Sequence, residues 1–200
     1  MRRAVAAFAF AVFLLVATSA YATHTVPSTC QGQTVTIPGT DGDDPNLDGT
    51  SGPDVIAGGD GDDTSYAMAA NDYVCGNQDR DSLFGKNDQD RINAGADPDT
   101  AEGQLGNDLV IGGSGNDYVI GGWGTDDLEG NLGDDDLGGR EGPDTIKGFD
   151  DSDELADGEG VDVLDGGSGS DIWYACDDGV LDTFSNIETI FGPAPQYCDY

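Results

Sequence analysis

The sequence predicts an all-β fold, a parallel solenoid wound from nine-residue units with a short segment at each end. Three observations predict it. The stretch from Gly103 to Glu129, GQLGNDLVIGGSGNDYVIGGWGTDDLE, repeats one nine-residue statement three times. Each unit has glycine at positions one and four, aspartate at six and an aliphatic residue at eight, and the register carries outward in both directions without gaps. Composition agrees, since 32 glycines and 40 acidic residues in 200 suit a repetitive architecture better than one globular core.

Taken in order, residues 1–22 read as a secretory leader. Arg2 and Arg3 precede an apolar run from Ala4 to Ala17, and Ala20-Tyr21-Ala22 offers a small-residue cleavage site. The mature chain is expected to begin at Thr23 and to be secreted to the extracellular space. Residues 23–48 form an N-terminal segment with a β-branched run, Thr34 to Ile37, expected to make a first strand or cap. Within it GTDGDDPNLDG, Gly39 to Gly49, is an irregular repeat one residue too long, which places Asp44 outside the main register.

The regular array spans residues 49–174, fourteen units. Position eight is large and apolar in all but two of them, Ser65 and Ala101, so one inward side chain per unit fills a thin core. Position four is glycine except at Ala70, Asp79, Asp88, Asp97 and Asp151, and position one is glycine except at Ala67, Ala94 and Asp157. Glycine at both positions is read as a requirement for positive φ, which aspartate tolerates and alanine does not. Looser turns are therefore expected between Ala67 and Glu102. Residues 175–200 lose the period but are rich in apolar side chains, from Val180 and Leu181 to Phe191, and read as a C-terminal cap into which Trp173 packs.

Charge and cysteines narrow the partners. Without Arg2 and Arg3, five basic residues (Arg80, Lys86, Arg91, Arg140, Lys147) stand against 40 acidic ones, a net charge of −35. That excludes nucleic acid, and no membrane contact is expected once the leader is cleaved, because both surfaces need a basic footprint. Four cysteines in a secreted chain point to disulfides and allow three connectivities; Cys176 and Cys198, just beyond the repeats, are expected to staple the C-terminal end, which would leave Cys30 to tie the N-terminal segment to Cys75. Zinc is disfavoured: there is no CxxC, and His24 is the one histidine.

The spacing then points to a metal. Six residues of glycine-rich turn and three of short strand are expected to bring the chain half way round. Two units make a circuit of eighteen residues, so aspartates eighteen apart fall into two columns at roughly the 4.8 Å strand separation. One column holds Asp54, Asp72, Asp90, Asp108, Asp126, Asp144 and Asp162; the other holds Asp63, Asp81, Asp99, Asp117, Asp135, Asp153 and Asp171. Carboxylates stacked so closely repel unless cations lie among them. Calcium, which takes six to eight oxygens in tolerant geometry, suits carboxylates and bare turn carbonyls; magnesium is stricter, and transition metals would want His or Cys.

These residues resemble a family. The units GGSGNDYVI, Gly112 to Ile120, and GGDGDDTSY, Gly58 to Tyr66, are similar to the RTX or hemolysin-type calcium-binding nonapeptide GGxGxDxUx. The resemblance implies a parallel β-roll in which turn carbonyls and sixth-position carboxylates bind several Ca2+ ions between successive turns. It carries over best to Asp54, Asp63, Asp108, Asp117, Asp126, Asp135, Asp144, Asp162 and Asp171, whose units keep the fourth glycine. Asp72, Asp81, Asp90, Asp99 and Asp153 lack that glycine, and weaker sites are expected there. A cleavable N-terminal leader departs from the C-terminal export signal of many such proteins.

No catalytic residue is read from the chain. HExxH and GxSxG are both absent, and carboxylates engaged with calcium are not free general acids. The expectation is a secreted calcium-ion-binding protein, not an enzyme, whose roll folds on binding the ion. The alternative is an extracellular surface or adhesion scaffold that uses the roll as a spacer, for a protein or glycan partner the sequence does not identify. Tyr66, Tyr73, Tyr118 and Trp123 are the candidates for its contact patch.

Overall fold

A computed structural model describes residues 28–176 and 181–191. The leader, residues 1–22, and the C-terminal segment with Cys198 lie outside the described residues. Among those described there is no helix, and the chain winds as a solenoid between two parallel sheets of nine strands each. The first sheet begins with Ile37–Pro38 and Val55–Gly59 and ends with Val163–Ser168 and Thr183–Ser185. The second begins with Leu47–Asp48 and Thr64–Met68 and ends with Ile172–Tyr174 and Thr189–Phe191. Every strand pairs with the one eighteen residues away through the regular part, as Val110 pairs with Leu128 and Val119 with Leu137.

The winding therefore extends beyond the regular units at both ends. Ile37 pairs with Ile56 and Leu47 with Ser65 before the array starts; Phe184 pairs with Leu164 and Ile190 with Trp173 after it stops. What reads in sequence as a C-terminal cap thus includes a further coil. Trp173 packs against Phe184, ring centroids 4.6 Å apart, and donates its indole N–H to Asp157 Oδ2 at 3.0 Å.

Position eight faces inward throughout, because the side chains of a strand alternate between its faces; position one, two residues on, faces inward as well, as the buried Ala67 and Ala94 show. Ile56, Val74, Ile92, Val110, Leu128, Ile146 and Leu164 form one buried file, and Leu83, Val119, Leu137 and Leu155 lie in the facing one. Ser65 interrupts the second file, where its hydroxyl donates to the Leu47 carbonyl of the preceding coil at 3.2 Å. A buried polar group needs that partner.

Two expectations need correction. In the middle of the roll the strands run over six residues, as in Tyr118–Trp123, and not three, leaving a three-residue turn. The positive φ values fall at positions two and four, not at position one: Phe149 and Arg140 take 81° and 76° at position two, and Ala70 takes 82° at position four. The turns between Ala67 and Glu102 are not looser. Asp79, Asp88 and Asp97 hold φ of 67°, 70° and 74°, so the backbone turns in the same sense as at the glycines.

Near the N-terminus a two-stranded hairpin, Thr29–Cys30 with Gln33–Thr34, lies on the outer face of the first sheet. Cys75, at position nine, points outward there and forms a disulfide with Cys30, as the sequence suggested. The hairpin covers Ala57 and Cys75, which are buried although they sit on the outer face. Cys176 is also disulfide-bonded.

Candidate metal centre

The aspartates of the array stand in two files, one along each edge of the roll where the chain passes between sheets. Each but the opening Asp54 accepts a hydrogen bond at Oδ1 from the backbone N–H of the aspartate one coil earlier. Asp108 donates to Asp126 at 2.7 Å, Asp126 to Asp144 at 2.8 Å and Asp144 to Asp162 at 2.7 Å. Along the other edge Asp99 donates to Asp117 at 2.9 Å, Asp117 to Asp135 at 2.8 Å and Asp135 to Asp153 at 2.9 Å. The same bond joins Asp54 to Asp72, Asp72 to Asp90, Asp90 to Asp108, Asp63 to Asp81, Asp81 to Asp99 and Asp153 to Asp171.

Both files reach further than the spacing indicated. Asp44, which the extra residue displaced from the count, donates to Asp63 Oδ1 at 2.8 Å and heads its file. The insertion is absorbed after Asp44, between it and Leu47. At the other end Asp162 donates to Asp182 Oδ1 at 3.0 Å and Asp171 to Glu188 Oε2 at 2.8 Å. Sequence reasoning missed all three. For Asp44 the signal was present in Gly39-x-x-Gly42-x-Asp44; for Asp182 and Glu188 the separations of 20 and 17 residues hide it.

The second carboxylate oxygen is left open by this ladder. Oδ2 of Asp63, Asp72, Asp81, Asp90, Asp99, Asp108, Asp117, Asp126, Asp135, Asp144, Asp153 and Asp171 is buried and accepts no hydrogen bond. Each such atom is an uncompensated acceptor in a place water does not reach. Where position one is glycine, the oxygen lies over its Cα: a Cβ at Gly112 would meet Asp117 Oδ2 at 2.6 Å, and one at Gly121 would meet Asp126 Oδ2 at 2.5 Å. The carbonyl of the next coil lines the same cleft, for the Cβ at Gly85 would stand near both Asp90 Oδ2 and, at 2.8 Å, Gly103 O. Close approach explains the first glycine; positive φ does not. Among these aspartates the units with and without the fourth glycine share the ladder and the open Oδ2, so this geometry draws no line between them.

Burial is the main reason these acids are hard to ionise. It pushes Asp81, Asp90 and Asp144 up to about 8, against a bond from the preceding amide that favours the charged form and with neighbouring carboxylates adding to the rise. Asp99, Asp108, Asp135 and Asp153 rise to about 7 by the same causes. Asp63, Asp72, Asp117 and Asp126 rise to about 6, again chiefly through burial. Lys147 is no counterion for these files, since it pairs with Asp127 and Glu129 on the outer face of the first sheet.

A hard cation fits this arrangement. The donors are all oxygen, carboxylate and backbone carbonyl, and the open Oδ2 atoms supply the unsatisfied negative charge that a dication would neutralise. A second ladder stiffens the turns. At position five the side chain accepts from the backbone N–H of the following coil, as Asn107 does from Thr125 at 3.0 Å and Asp134 from Ser152 at 3.0 Å. Pro98 has no N–H to give, and the residue one coil before it, Arg80, has no acceptor; Arg80 Nε donates instead to the Pro98 carbonyl at 3.2 Å.

The four aromatic candidates for a contact patch do not come together. Tyr66 stacks on Phe84 on the outer face of the second sheet, and Tyr73 lies beside Arg91 on the first. Tyr118 and Trp123 occupy opposite ends of one strand.

Fold and site define a class: a parallel β-roll whose coils are joined through two rows of turn carboxylates with open oxygens. Within that class, the chain belongs to the RTX calcium-binding nonapeptide repeat family, whose profile matches residues 38–74, 66–101, 76–110, 102–137 and 138–172. No curated protein and no solved structure gave a match to the chain.

Proposed function

We propose that this is a secreted calcium-binding protein whose roll folds as it takes up several Ca2+ ions, with no catalytic role. The observation that carries the reading is the repeated buried Oδ2, left without a partner coil after coil. Asp63, Asp108, Asp117, Asp126, Asp135, Asp144 and Asp171 would hold the ions, with Asp72, Asp81, Asp90, Asp99 and Asp153 in equivalent surroundings and Asp162 continuing the file toward Asp182. Position-one carbonyls such as Gly103 O would complete the oxygen set.

Calcium supplies positive charge in a place where two rows of acids otherwise oppose one another. The chain's own part is to align them: the Oδ1 ladder fixes each carboxylate, and the first glycine leaves room for its second oxygen. Because the cleft needs two stacked coils, it does not exist in the unfolded chain, and binding free energy becomes folding free energy. An affinity of about 10⁻⁴ to 10⁻³ M, usual for extracellular calcium modules, would leave the chain unfolded at cytosolic calcium and folded outside.

Circular dichroism during a calcium titration from chelator tests the coupling. A β spectrum that grows cooperatively with calcium is expected; a spectrum unchanged up to roughly ten times those dissociation constants refutes it.

A further inference from the structure

We infer that the two turns opening the files are sealed by threonine in place of calcium, so that the ion-binding array begins at Asp63 and Asp72. The inference rests on the calcium reading above and concerns where the array starts. Asp44 and Asp54 each head a file, and both differ from every later member in the same way. Thr50 donates its backbone N–H to Asp54 Oδ2 at 2.6 Å and its hydroxyl at 2.9 Å. Thr40 does the same to Asp44 Oδ2, at 2.6 and 2.9 Å. Asp54 is correspondingly missing from the aspartates whose Oδ2 is buried without a partner.

The cause lies at position two. From Gly59 through Met68, Asn77 and Lys86 to Gly167, that residue takes positive φ, whereas Thr40 and Thr50 do not. A β-branched residue avoids the left-handed region, so the peptide turns the other way and aims its N–H at the carboxylate. A Cβ at Gly39 would still meet Asp44 Oδ2 at 2.9 Å, so what sets the opening turns apart is the pair of threonine donors on that oxygen and not the place of the carboxylate beside the first glycine.

The chemistry opposes a cation here. Two donor hydrogens converge on the oxygen that elsewhere stays open, and an ion would have to displace both charge-assisted bonds. The opening coil thus has hydrogen-bonded fastenings where later coils depend on ions, and serves as a metal-independent first step on which loaded coils stack.

Calcium counting by native mass spectrometry at saturating ion tests this, with circular dichroism confirming the β fold of each variant. Asp54→Asn is expected to keep the wild-type ion count, and Asp72→Asn to lose at least one ion. Thr50→Gly, which restores the glycine found at Gly59 and Gly113, is expected to gain one. Loss of an ion from Asp54→Asn, or no gain in Thr50→Gly, overturns the inference. Should the wild-type chain bind no calcium at all, the reading of the whole array fails and not merely the placing of its start.

Discussion

The backbone N–H of Asp108 donates to Oδ1 of Asp126 at 2.7 Å, while Oδ2 of Asp126 is buried and accepts nothing. One carboxylate thus does two jobs, holding the coil before it and facing the cleft. Asp126→Asn separates them, because the amide keeps an acceptor for Asp108 but loses the open anionic oxygen. Asp126→Ala removes both and leaves the Asp108 N–H unsatisfied, a further cost of about 1–3 kcal/mol. Denaturant unfolding in saturating calcium should rank wild type above Asp126→Asn and Asp126→Ala lowest; equal stability of the two variants would mean the ladder contributes nothing.

Acidity changes the sign of the problem. In chelator, Asp81, Asp90 and Asp144 titrate near 8 in the folded chain against an unfolded value of 3.8, and Asp63, Asp72, Asp117 and Asp126 near 6. The folded state therefore holds more protons, and stability falls as pH rises. It is complete below about pH 4 and is lost progressively as pH climbs through 6 to 8. The calcium-free chain should show β structure near pH 4 and lose it by pH 8, where calcium restores it. Calcium-free stability that is flat or increasing over that range would contradict the burial of these carboxylates.

Ala70 holds φ of 82°, a conformation that costs a non-glycine residue about 1–2 kcal/mol. Ala70→Gly should stabilise the calcium-loaded protein by about 1 kcal/mol or less, since glycine gives back some of the gain through unfolded-state entropy. Asp88→Gly in the neighbouring turn should not, because the Asp88 carboxylate accepts the Ala70 N–H at 3.1 Å. A thermal melt of the two variants side by side decides it.

Replacing Cys30 and Cys75 together by serine should cost about 2–5 kcal/mol, since the bridge closes a 45-residue separation. Hydrogen exchange locates the effect: faster exchange is expected in residues 29–60, with the coils around Leu128 unchanged. Uniform acceleration along the chain would mean that the coils do not respond locally, as stacked repeats do.

The amino-acid sequence by itself determined the solenoid, the eighteen-residue circuit, the inward file from Ile56 to Leu164 and the two columns of aspartate. These follow from arithmetic along the chain, since equal units stack in equal register. Only the tertiary structure decided the rest. That Asp44, Asp182 and Glu188 join the columns across separations of 19, 20 and 17 residues depends on where the extra or missing residues are absorbed. A turn can take up such a change without moving the stacked atoms, so counting along the chain loses them. The first glycine likewise looked like a conformational requirement and is a steric one, because Asp126 Oδ2 comes to rest over Gly121 only after the coil has closed. Thr50 carries no mark in sequence that separates it from any exposed threonine; its meaning arises when the fold brings Asp54 Oδ2 within 2.9 Å of its hydroxyl.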